Sequence, residues 1–514
     1  MAERGAEAET IGGTEVDAEG ATVSALQQAM ASGALTSVDL TEFYLARTER
    51  LNPRLRAVIR VNSGAASEAA ESDRMRGEGR GRGPLEGVPV LVKDNIAVRG
   101  MPATAGSPAL LEAESGDAFL VRRLREAGAV IIGKANLSEW ANFRSTHSTS
   151  GWSTLGGQAA NPYALDRNPS GSSSGSGVAV AAGMALLAVG TETDGSIVCP
   201  ASACGIVGLK PTLGLVSRAG IVPISSAQDT AGPMARTVAD AAALLNVMAG
   251  ADPADPATST AGGRPRDYTT FLDAGALAGA RLGVWRGGCA GAKQAITAVL
   301  DAALDRLCDL GAEVLDPVEL PGVDDISGHE FAALLHEFKR DLNAYLGVLP
   351  GRHPATLAEL IAFNSHNGNE VLRYFGQELF EKAEASGDPA DPAALAERAA
   401  ATRLARAALD GPLAGHHLDA VITLTANPAC LTDYVLGDYD VFHTSVPAAV
   451  AGYPTVSVPC GSVAGLPVGL SFLGSAWTEP KLIGLAHAFE LAVQAGLRPA
   501  LRASAEPDSA EAQR

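Results

Sequence analysis

Three short segments of the sequence carry side chains that together could cleave a carbonyl compound. The glycine- and serine-rich segment GSSSGS occupies 171–176, the segment TETDGSIVCPAS occupies 191–202, and Lys93 stands in the apolar run VPVLVKDNIAV. Hydrolysis by a serine needs a nucleophile, a base that takes its proton, and donors for the negative charge that develops on the carbonyl oxygen. The serines could supply the nucleophile and Lys93 the base.

Lys93 is unusual because it interrupts a run of β-branched residues that predicts a buried strand. Burial of an ammonium group is costly, so such a lysine extends its charged end to solvent, pairs with a carboxylate such as that of Asp94, or has a lowered pKa. Only the last state makes it a usable general base. The residues themselves leave these three states open.

Ser196 follows Asp194 and Gly195 in a turn after a predicted strand. The consecutive backbone N–H groups of Thr193, Asp194, Gly195 and Ser196 could form an oxyanion hole there. An ordinary Asp-Gly turn is the simpler interpretation of this segment alone, and a flexible linker is the simpler interpretation of GSSSGS alone. The position of GSSSGS before a predicted helix nevertheless places free N–H groups where they could face an anion.

The sequence offers no conventional alternative base. Its nine histidines show no HExxH spacing, and the sequence shows no nucleophile elbow for a conventional Ser-His-Asp site. Triads in which lysine replaces histidine do exist. The six cysteines form no CxxC pair and have no histidine partners at metal-binding spacing, which predicts reduced, structural thiols. We expect neither a metal nor an organic cofactor.

Predicted strands and helices alternate around these segments. The run that contains Lys93 is followed by a helix at AFLVRRLREAG, a strand at AVIIG and a helix beginning near Asn136 to Ser138, which is the rhythm of a largely parallel sheet. Short strands return near the end of the chain at DAVITL, TVSVPC and VGLSFLG, and we expect them to complete the same sheet. The predicted fold class is α/β, with a large mixed, mostly parallel sheet that helices cover on both faces.

The organisation that we expect has six parts. They are a disordered acidic tail (1–20), a helical lead-in (21–80), a core that carries the candidate catalytic residues (81–260), a strand followed by a mainly helical insertion that shapes the substrate pocket (261–420), strands and a helix that complete the sheet (421–500), and a disordered tail (501–514).

Charge and hydropathy narrow the class of partner. The formal net charge of −19 argues against a nucleic-acid or anionic-membrane surface and favours a small neutral or cationic substrate. The longest apolar run, about 178–189, is too short to cross a bilayer, and the acidic first residues have no export-signal pattern. We predict a cytoplasmic protein that binds neither nucleic acid nor membrane, and the oligomeric state is not predictable from the sequence.

The combination of the three segments resembles the amidase signature family. The resemblance is carried by GSSSGS, by the serine of DGSI twenty-four residues after Ser172, by the upstream KDN, and by QDTAGPMARTVADAA and LPVGLSFLG further on. It implies the amidase signature fold and a Ser-cisSer-Lys triad made of Ser196, Ser172 and Lys93. Ser172 then follows a cis peptide bond.

Other stretches look like the bacterial peptide amidases, which deamidate C-terminal peptide amides and release ammonia. These stretches are TETDGSIVCPA, SGWSTLGGQAANPY, EFKRDLNAYL and FGQELFE. The chain departs from the commoner family pattern at Ser170 and Asp194, which replace glycines, and at Val198, which replaces a frequent arginine. These departures leave the triad positions intact and bear on the choice of substrate.

The resemblance implies an acyl-enzyme mechanism without histidine. A neutral Lys93 would take a proton from Ser172 while Ser172 takes one from Ser196, which attacks the amide carbonyl. We expect a small-molecule or short-peptide amide as substrate, with C-terminal peptide amides first. Two alternatives stay open, namely the amidase subunit of a tRNA-dependent amidotransferase and a non-catalytic amide-binding homologue.

Overall fold

A computed structural model describes residues 11, 20–388, 390–439, 441–493 and 498–505. Most of the predicted tail at 1–20, and 506–514 of the predicted C-terminal tail, lie outside the described residues. The beginning of the C-terminal tail is held by backbone hydrogen bonds, since Leu501 donates to Pro162 at 3.0 Å and Arg502 accepts from Leu165 at 2.8 Å. Order therefore extends past residue 500, where the sequence predicted its end.

The strands alternate with helices over most of the described chain. The strands are β1 (Val58–Val61), β2 (Pro89–Lys93), β3 (Glu112–Ala113), β4 (Val130–Ala135), β5 (Trp152–Ser153), β6 (Gly157–Gln158), β7 (Leu187–Glu192), β8 (Val207–Lys210), β9 (Thr230–Ala235), β10 (Arg281–Val284), β11 (Glu313–Leu315), β12 (Gly351–Arg352), β13 (Ala420–Leu424), β14 (Thr455–Val463) and β15 (Leu466–Leu473).

The α-helices concentrate in the first sixty residues and between β11 and β13. They are α1 (Val23–Ala31), α2 (Ser37–Leu55), α3 (Ala65–Gly77), α4 (Phe119–Glu126), α5 (Ser174–Ala181), α6 (Val198–Ala203), α7 (Val238–Met248), α8 (Gln294–Asp309), α9 (Ile326–Val348), α10 (Leu357–His366), α11 (Gly368–Val371), α12 (Glu378–Ala385), α13 (Pro392–Gly415), α14 (Val446–Ala451) and α15 (Glu479–Val493).

One mixed sheet of eleven strands organises the described chain, in the order β1-β4-β2-β7-β9-β8-β14-β15-β13-β10-β11. Parallel pairing holds within β4-β2-β7 and within β13-β10-β11, while the pairs between these two groups are antiparallel. The predicted large mixed α/β sheet is confirmed. The share of parallel pairing is smaller than the sequence indicated, because six of the ten strand pairs are antiparallel, including those of β9 with β7 and β8.

The adjacent strands β2 and β7 place the candidate catalytic segments. They run parallel with Val92 opposite Val189, so their carboxyl ends, Lys93 and Glu192, meet at the same edge of the sheet. Ligands of open α/β sheets bind outside the carboxyl ends of the strands. The topology thus brings Lys93 close to the turn that carries Ser196.

The helix predicted to begin near Asn136 to Ser138 does not form. A single 3₁₀ turn, Glu139–Asn142, stands in its place, and Trp140 and Ala141 within it have left-handed φ values of 53°. Long-range contacts override the local helical preference here. Buried Glu139 pairs with Arg144 at 2.7 Å, and Trp140 packs edge-on against Phe380 of α12.

Close packing of α5 against the chain before it makes Gly175 a sensitive position. A Cβ at Gly175 would stand 2.2 Å from the carbonyl oxygen of Ala57 and 2.5 Å from the backbone nitrogen of Asn136. Backbone atoms cannot rotate away, so we expect Gly175→Ala to lower the free energy of unfolding by about 1 to 3 kcal/mol. Gly77 is a matched control, because it also lies in a helix and has nothing within 4 Å of its Cβ position.

Thermal or denaturant unfolding of the two variants tests this packing. Gly77→Ala should leave the midpoint near that of the wild type or raise it slightly through helix propensity. Equal midpoints for Gly175→Ala and the wild type would contradict the packing described above. Within the described ranges, no helix combines the length and the hydropathy needed to cross a membrane.

Candidate active site

Lys93 ends β2 with its side chain fully buried. Its Nζ lies 2.8 Å from Ser172 Oγ, 2.8 Å from Thr191 Oγ1 and 3.1 Å from the Thr191 carbonyl oxygen. Desolvation lowers the pKa of Lys93 well below its usual value, against the opposing charges of Glu192 and Asp229. The neutral amine is thereby favoured.

The three oxygen neighbours of Lys93 can accept from the three N–H groups of an ammonium, and they also suit a neutral amine. A neutral amine has two N–H groups and one lone pair. The two N–H groups can be given to the carbonyl and hydroxyl oxygens of Thr191, which leaves the lone pair to accept from the hydroxyl of Ser172. Lys93 can therefore act as a base toward Ser172.

Pairing of Lys93 with Asp94, the alternative that the sequence left open, does not occur. Asp94 instead faces Lys134 of β4, whose Nζ lies 3.2 Å from the Asp94 carboxylate. The hydroxyl of Thr104 donates to the same carboxylate in a very short hydrogen bond. Lys93 is left with hydroxyl and carbonyl neighbours.

Ser172 is fully buried just before α5. The Gly171–Ser172 peptide bond is cis. A side chain at Gly171 would collide with Ser138, whose Oγ would lie 2.2 Å from the added Cβ. The backbone of the next residue, Ser173, donates to the Ser196 carbonyl at 3.1 Å. The GSSSGS segment is thus an ordered part of the fold rather than a linker.

The turn that carries Ser196 is held from both sides. Thr193 donates through Oγ1 to Asp229 at 2.6 Å, and the carboxylate of Glu192 accepts from the backbone N–H groups of Ile197 and Val198 at 2.7 and 3.1 Å. Gly195 has a left-handed φ of 74°, which glycine adopts without strain. These contacts fix the turn between β7 and α6.

The backbone N–H groups of Thr193, Asp194, Gly195 and Ser196 have no acceptor among the described residues. Nearly all buried backbone donors in proteins are paired. A row of free N–H groups is therefore a place where the oxygen of a bound molecule can accept. The arrangement can stabilise an oxyanion if a substrate carbonyl reaches it.

A cavity of about 560 Å³ opens at this turn. Ser196 lines it together with Gly171, Thr193, Asp194 and Gly195, whereas Lys93 and Ser172 are not part of its wall. Its remaining wall comes from the chain before α5, from the helical insertion and from the C-terminal segment. These lining residues include Asn142, Phe143, Ser145, Ser150, Phe331, Leu334, Leu379, Asn427, Asp438 and His443.

The structure brings Lys93 and Ser172 together through their side chains, and it joins Ser196 to the same segment through the backbone. Within the described chain, no side-chain hydrogen bond links Ser172 to Ser196. The sequence interpretation did not single out Thr191, Gln228 or Asp229, which anchor Lys93 or the turn. The only signal for two of them was their place in QDTAGPMARTVADAA.

The buried carboxyl group of Asp229 also holds the turn, from the side opposite Glu192. Desolvation raises its pKa to about 6, although hydrogen bonds from Thr193 and from the backbone N–H groups of Ile224 and Ser225 act in the other direction. Its two oxygens together accept these three bonds, at 2.6 to 3.0 Å. The turn thus rests on a carboxylate that the fold has fully desolvated.

Comparison with known proteins assigns the class of this enzyme. A family model described as Amidase matches residues 39–483. The chain belongs to this family, the amidase signature family, and is an amidohydrolase. A probable amidase of Arabidopsis thaliana is 42% identical over 488 residues, which cover 92% of this chain and 90% of the relative.

Two solved structures of peptide amidases are similar to this chain over nearly their full length. One is the peptide amidase of Stenotrophomonas maltophilia, at 49% identity and a TM-score of 0.89, covering 95% of this chain and 99% of that chain. The other is a peptide amidase in complex with the competitive inhibitor chymostatin, at 51% identity and a TM-score of 0.91, covering 93% of this chain and 99% of that chain.

The relatives also include components of amidotransferases. A glutamyl-tRNA(Gln) amidotransferase subunit from a Synechococcus strain is 35% identical over 483 residues, covering 91% of this chain and 96% of the relative. Membership of the family alone therefore does not decide which amide reaction the chain catalyses.

Proposed function

We propose that the protein hydrolyses a carboxamide to a carboxylate and ammonia, and that C-terminal peptide amides are its preferred substrates. The observation that carries the proposal is the fully buried Lys93, whose amine lies 2.8 Å from Ser172 Oγ beside the cavity that Ser196 lines. A desolvated amine next to a hydroxyl is suited to take its proton.

In the proposed first step, Ser196 Oγ attacks the amide carbonyl carbon. Its proton passes to Ser172, and the proton of Ser172 passes to the lone pair of Lys93. The tetrahedral intermediate then collapses. As the C–N bond breaks, the leaving nitrogen takes the proton from Lys93 back along the same route, and ammonia leaves. Lys93 is neutral again and Ser196 carries the acyl group as an ester.

Water completes the reaction along the same route. It attacks the ester carbon, gives up a proton through Ser172 to Lys93, and the proton returns to Ser196 as the acid leaves. In both steps, the free N–H groups between Thr193 and Ser196 would bind the developing oxyanion. The net change is amide plus water to carboxylate plus ammonium.

Two observations support peptide amides as the substrate class. The peptide amidase structures are similar to this chain at about half identity over nearly all of both chains. The cavity wall also contains Asp194 and Asp438, and carboxylates there disfavour substrates whose C-terminus is already a carboxylate. A neutral terminal amide avoids that repulsion.

An amide panel with ammonia as the readout tests the substrate class. Peptide amides, free amino-acid amides, fatty amides and glutamine are compared at equal concentration with the purified chain alone. We expect the highest kcat/KM for peptide amides. A higher value for any of the other three classes would overturn the proposed substrate while leaving the amidase assignment in place.

The lowered pKa of Lys93 predicts the sign of the pH dependence. The base must be neutral, and the neutral form is present above the pKa of Lys93 and lost as the pH falls through it. We therefore expect kcat/KM for a peptide amide to fall on the acid side with the loss of one deprotonated group. Circular dichroism at each pH separates this limb from unfolding, and activity that increases toward acid pH would contradict the neutral lysine.

A role as the amidase subunit of a tRNA-dependent amidotransferase is the second candidate, because such subunits are relatives at 35% identity. That role predicts ammonia release from glutamine only when partner subunits are added. Release of ammonia from peptide amides by the isolated chain would exclude it as the main function.

We also infer a cytoplasmic location. Cys204, Cys289, Cys308 and Cys460 are free thiols, which fits a reducing compartment. Cell fractionation with an antibody against the chain tests this location.

A further inference from the structure

Gln228 connects the turn of the active site to the helical insertion. Its Nε2 donates to the carbonyl oxygen of Thr193 at 2.8 Å and to Glu330 of α9 at 2.5 Å. Its Oε1 accepts from Arg398 of α13 at 2.7 Å. Gln228 is 1% exposed, so one buried amide ties together three separate parts of the chain.

Arg398 determines which way the Gln228 amide faces. A guanidinium group can only donate hydrogen bonds, so the amide oxygen must face Arg398 and the amide nitrogen must face Thr193. Arg398 is itself held by Glu337 through two parallel hydrogen bonds of 2.8 and 2.6 Å. Such a bidentate pair has a fixed geometry, and the insertion thereby presets the donor that reaches the turn.

The direction of the Thr193 carbonyl controls the next N–H group. In a planar trans peptide unit the C=O and N–H bonds point in opposite directions. Because Gln228 holds the Thr193 oxygen on one side, the N–H group of Asp194 must point to the other. That N–H group is one of the free donors beside Ser196, and Asp194 lines the cavity.

We propose that Gln228 is a positioning residue of the amidase, which aims the Asp194 N–H group at the oxyanion through its hydrogen bond to the Thr193 carbonyl. This inference rests on the proposed function, since it takes the N–H groups of the turn as the oxyanion donors. It also gives the helical insertion a role in the chemical step. Arg398 reaches the turn through Gln228, whereas Glu337 also accepts from Ser225, whose backbone N–H group donates to Asp229.

The role predicts a specific kinetic pattern. An oxyanion donor acts on the transition state more than on the bound amide, so its misalignment lowers kcat with little change in KM. Loss of a whole donor lowers kcat about 10²- to 10³-fold. Misalignment through Gln228 should therefore lower kcat by about tenfold to a hundredfold. A merely structural role would lower stability and leave the kcat of the folded protein unchanged.

Glu330 offers a matched control. Burial, and then the charge of Asp194, raise the pKa of Glu330 to about 8, which favours the uncharged carboxyl group, and an amide is a close mimic of that form. In Glu330→Gln the new amide oxygen can accept from Gln228 as the carboxyl does. The bond to Thr193 stays in place, and we expect a kcat within about threefold of the wild type.

The double variant Gln228→Glu with Glu330→Gln removes the Thr193 bond and keeps the bonds to Arg398 and to residue 330. The carboxylate at 228 can accept from Arg398 and from the new amide at 330, but it cannot donate to the Thr193 carbonyl. We expect kcat for a peptide amide to fall about tenfold to a hundredfold relative to Glu330→Gln, with KM within about threefold. Gln228→Met, which keeps the length and removes all donors, serves the same comparison if the double variant does not fold.

The result that would overturn the role of Gln228 is a kcat of the double variant, or of Gln228→Met, within threefold of the control. A change confined to KM would overturn it equally. Hydrolysis by the wild type and covalent labelling of its Ser196 are measured in the same preparations. Their absence in the wild type counts against the proposed function, whereas their presence beside an unchanged kcat in the variants counts against Gln228 alone.

Discussion

Replacement of Ser196 by alanine is expected to abolish measurable hydrolysis of a peptide amide. Loss of the nucleophile of a serine hydrolase triad lowers kcat by about 10⁴- to 10⁶-fold. The substitution removes one oxygen at the cavity wall and leaves the turn intact, because the contacts that hold the turn come from Glu192, Thr193 and Gly195. Release of ammonia from a peptide amide, followed at saturating substrate, measures the effect.

Ser176→Ala is the matched control for this loss. Ser176 is a fully buried serine of the neighbouring GSSSGS segment, and its hydroxyl donates to the Val189 carbonyl at 3.2 Å. We expect this variant to keep a kcat within severalfold of the wild type. Near-wild-type turnover in Ser196→Ala, with the protein folded by circular dichroism, would remove Ser196 from the mechanism.

Replacement of Lys93 by methionine should have the second largest effect. Methionine has a similar length and suits a fully desolvated position, but it has no lone pair that takes a proton from Ser172 at neutral pH. General base catalysis contributes about 10²- to 10⁴-fold, and we expect kcat to fall by that factor. The acid limb of the pH profile that we assign to Lys93 should disappear together with the rate.

Lys134→Met is the control that distinguishes the loss of a catalytic amine from the loss of a buried lysine. Lys134 is also a fully buried lysine near the end of a strand, but it pairs with Asp94 and touches neither candidate serine. Its removal leaves a buried carboxylate unpaired, so we expect a loss of stability of about 3 to 5 kcal/mol and an unchanged kcat for the protein that stays folded. An equal loss of kcat in Lys134→Met and Lys93→Met would mean that Lys93 acts through the fold rather than through its amine.

The sequence predicted the elements that hold Lys93, Ser172 and Ser196, because each of them has a strong local signal. The apolar run around Lys93 is strand β2, helix α5 begins at Ser174 inside GSSSGS, and the strand before the Asp-Gly turn is β7. Helix α2 also begins on a local signal, a capping box between Thr36 and Asp39. Local propensity and periodicity decide such elements.

Elements that depend on distant partners could not be predicted in this way. Strand β9 contains Gly232 and Pro233, which disfavour strands, and it exists through its pairing with β7 and β8 on either side. Its two antiparallel pairs are among the six that make the sheet less parallel than the alternating pattern suggested. The 3₁₀ turn at Glu139–Asn142 likewise depends on contacts with α12, far along the chain.

The hydrogen-bond network around Gln228, behind the candidate site, could not be predicted from the sequence either. Gln228 and Glu330 are about a hundred residues apart, and Arg398 lies in another helix of the insertion. No motif spacing connects them, since they meet only when the insertion packs on the turn. The resemblance that identified the triad positions could not reveal this network, because it rests on short contiguous segments.

Covalent labelling by a serine-directed phosphonate is the most direct test of Ser196 as the nucleophile. Digestion and mass spectrometry locate the adduct, and ammonia release from a peptide amide is followed in parallel. We expect one adduct per chain, on Ser196, with loss of activity in proportion to labelling, and no adduct in Ser196→Ala. A binding protein would not react, and an active enzyme that carries the label on another residue, or none at all, would show that Ser196 is not the nucleophile.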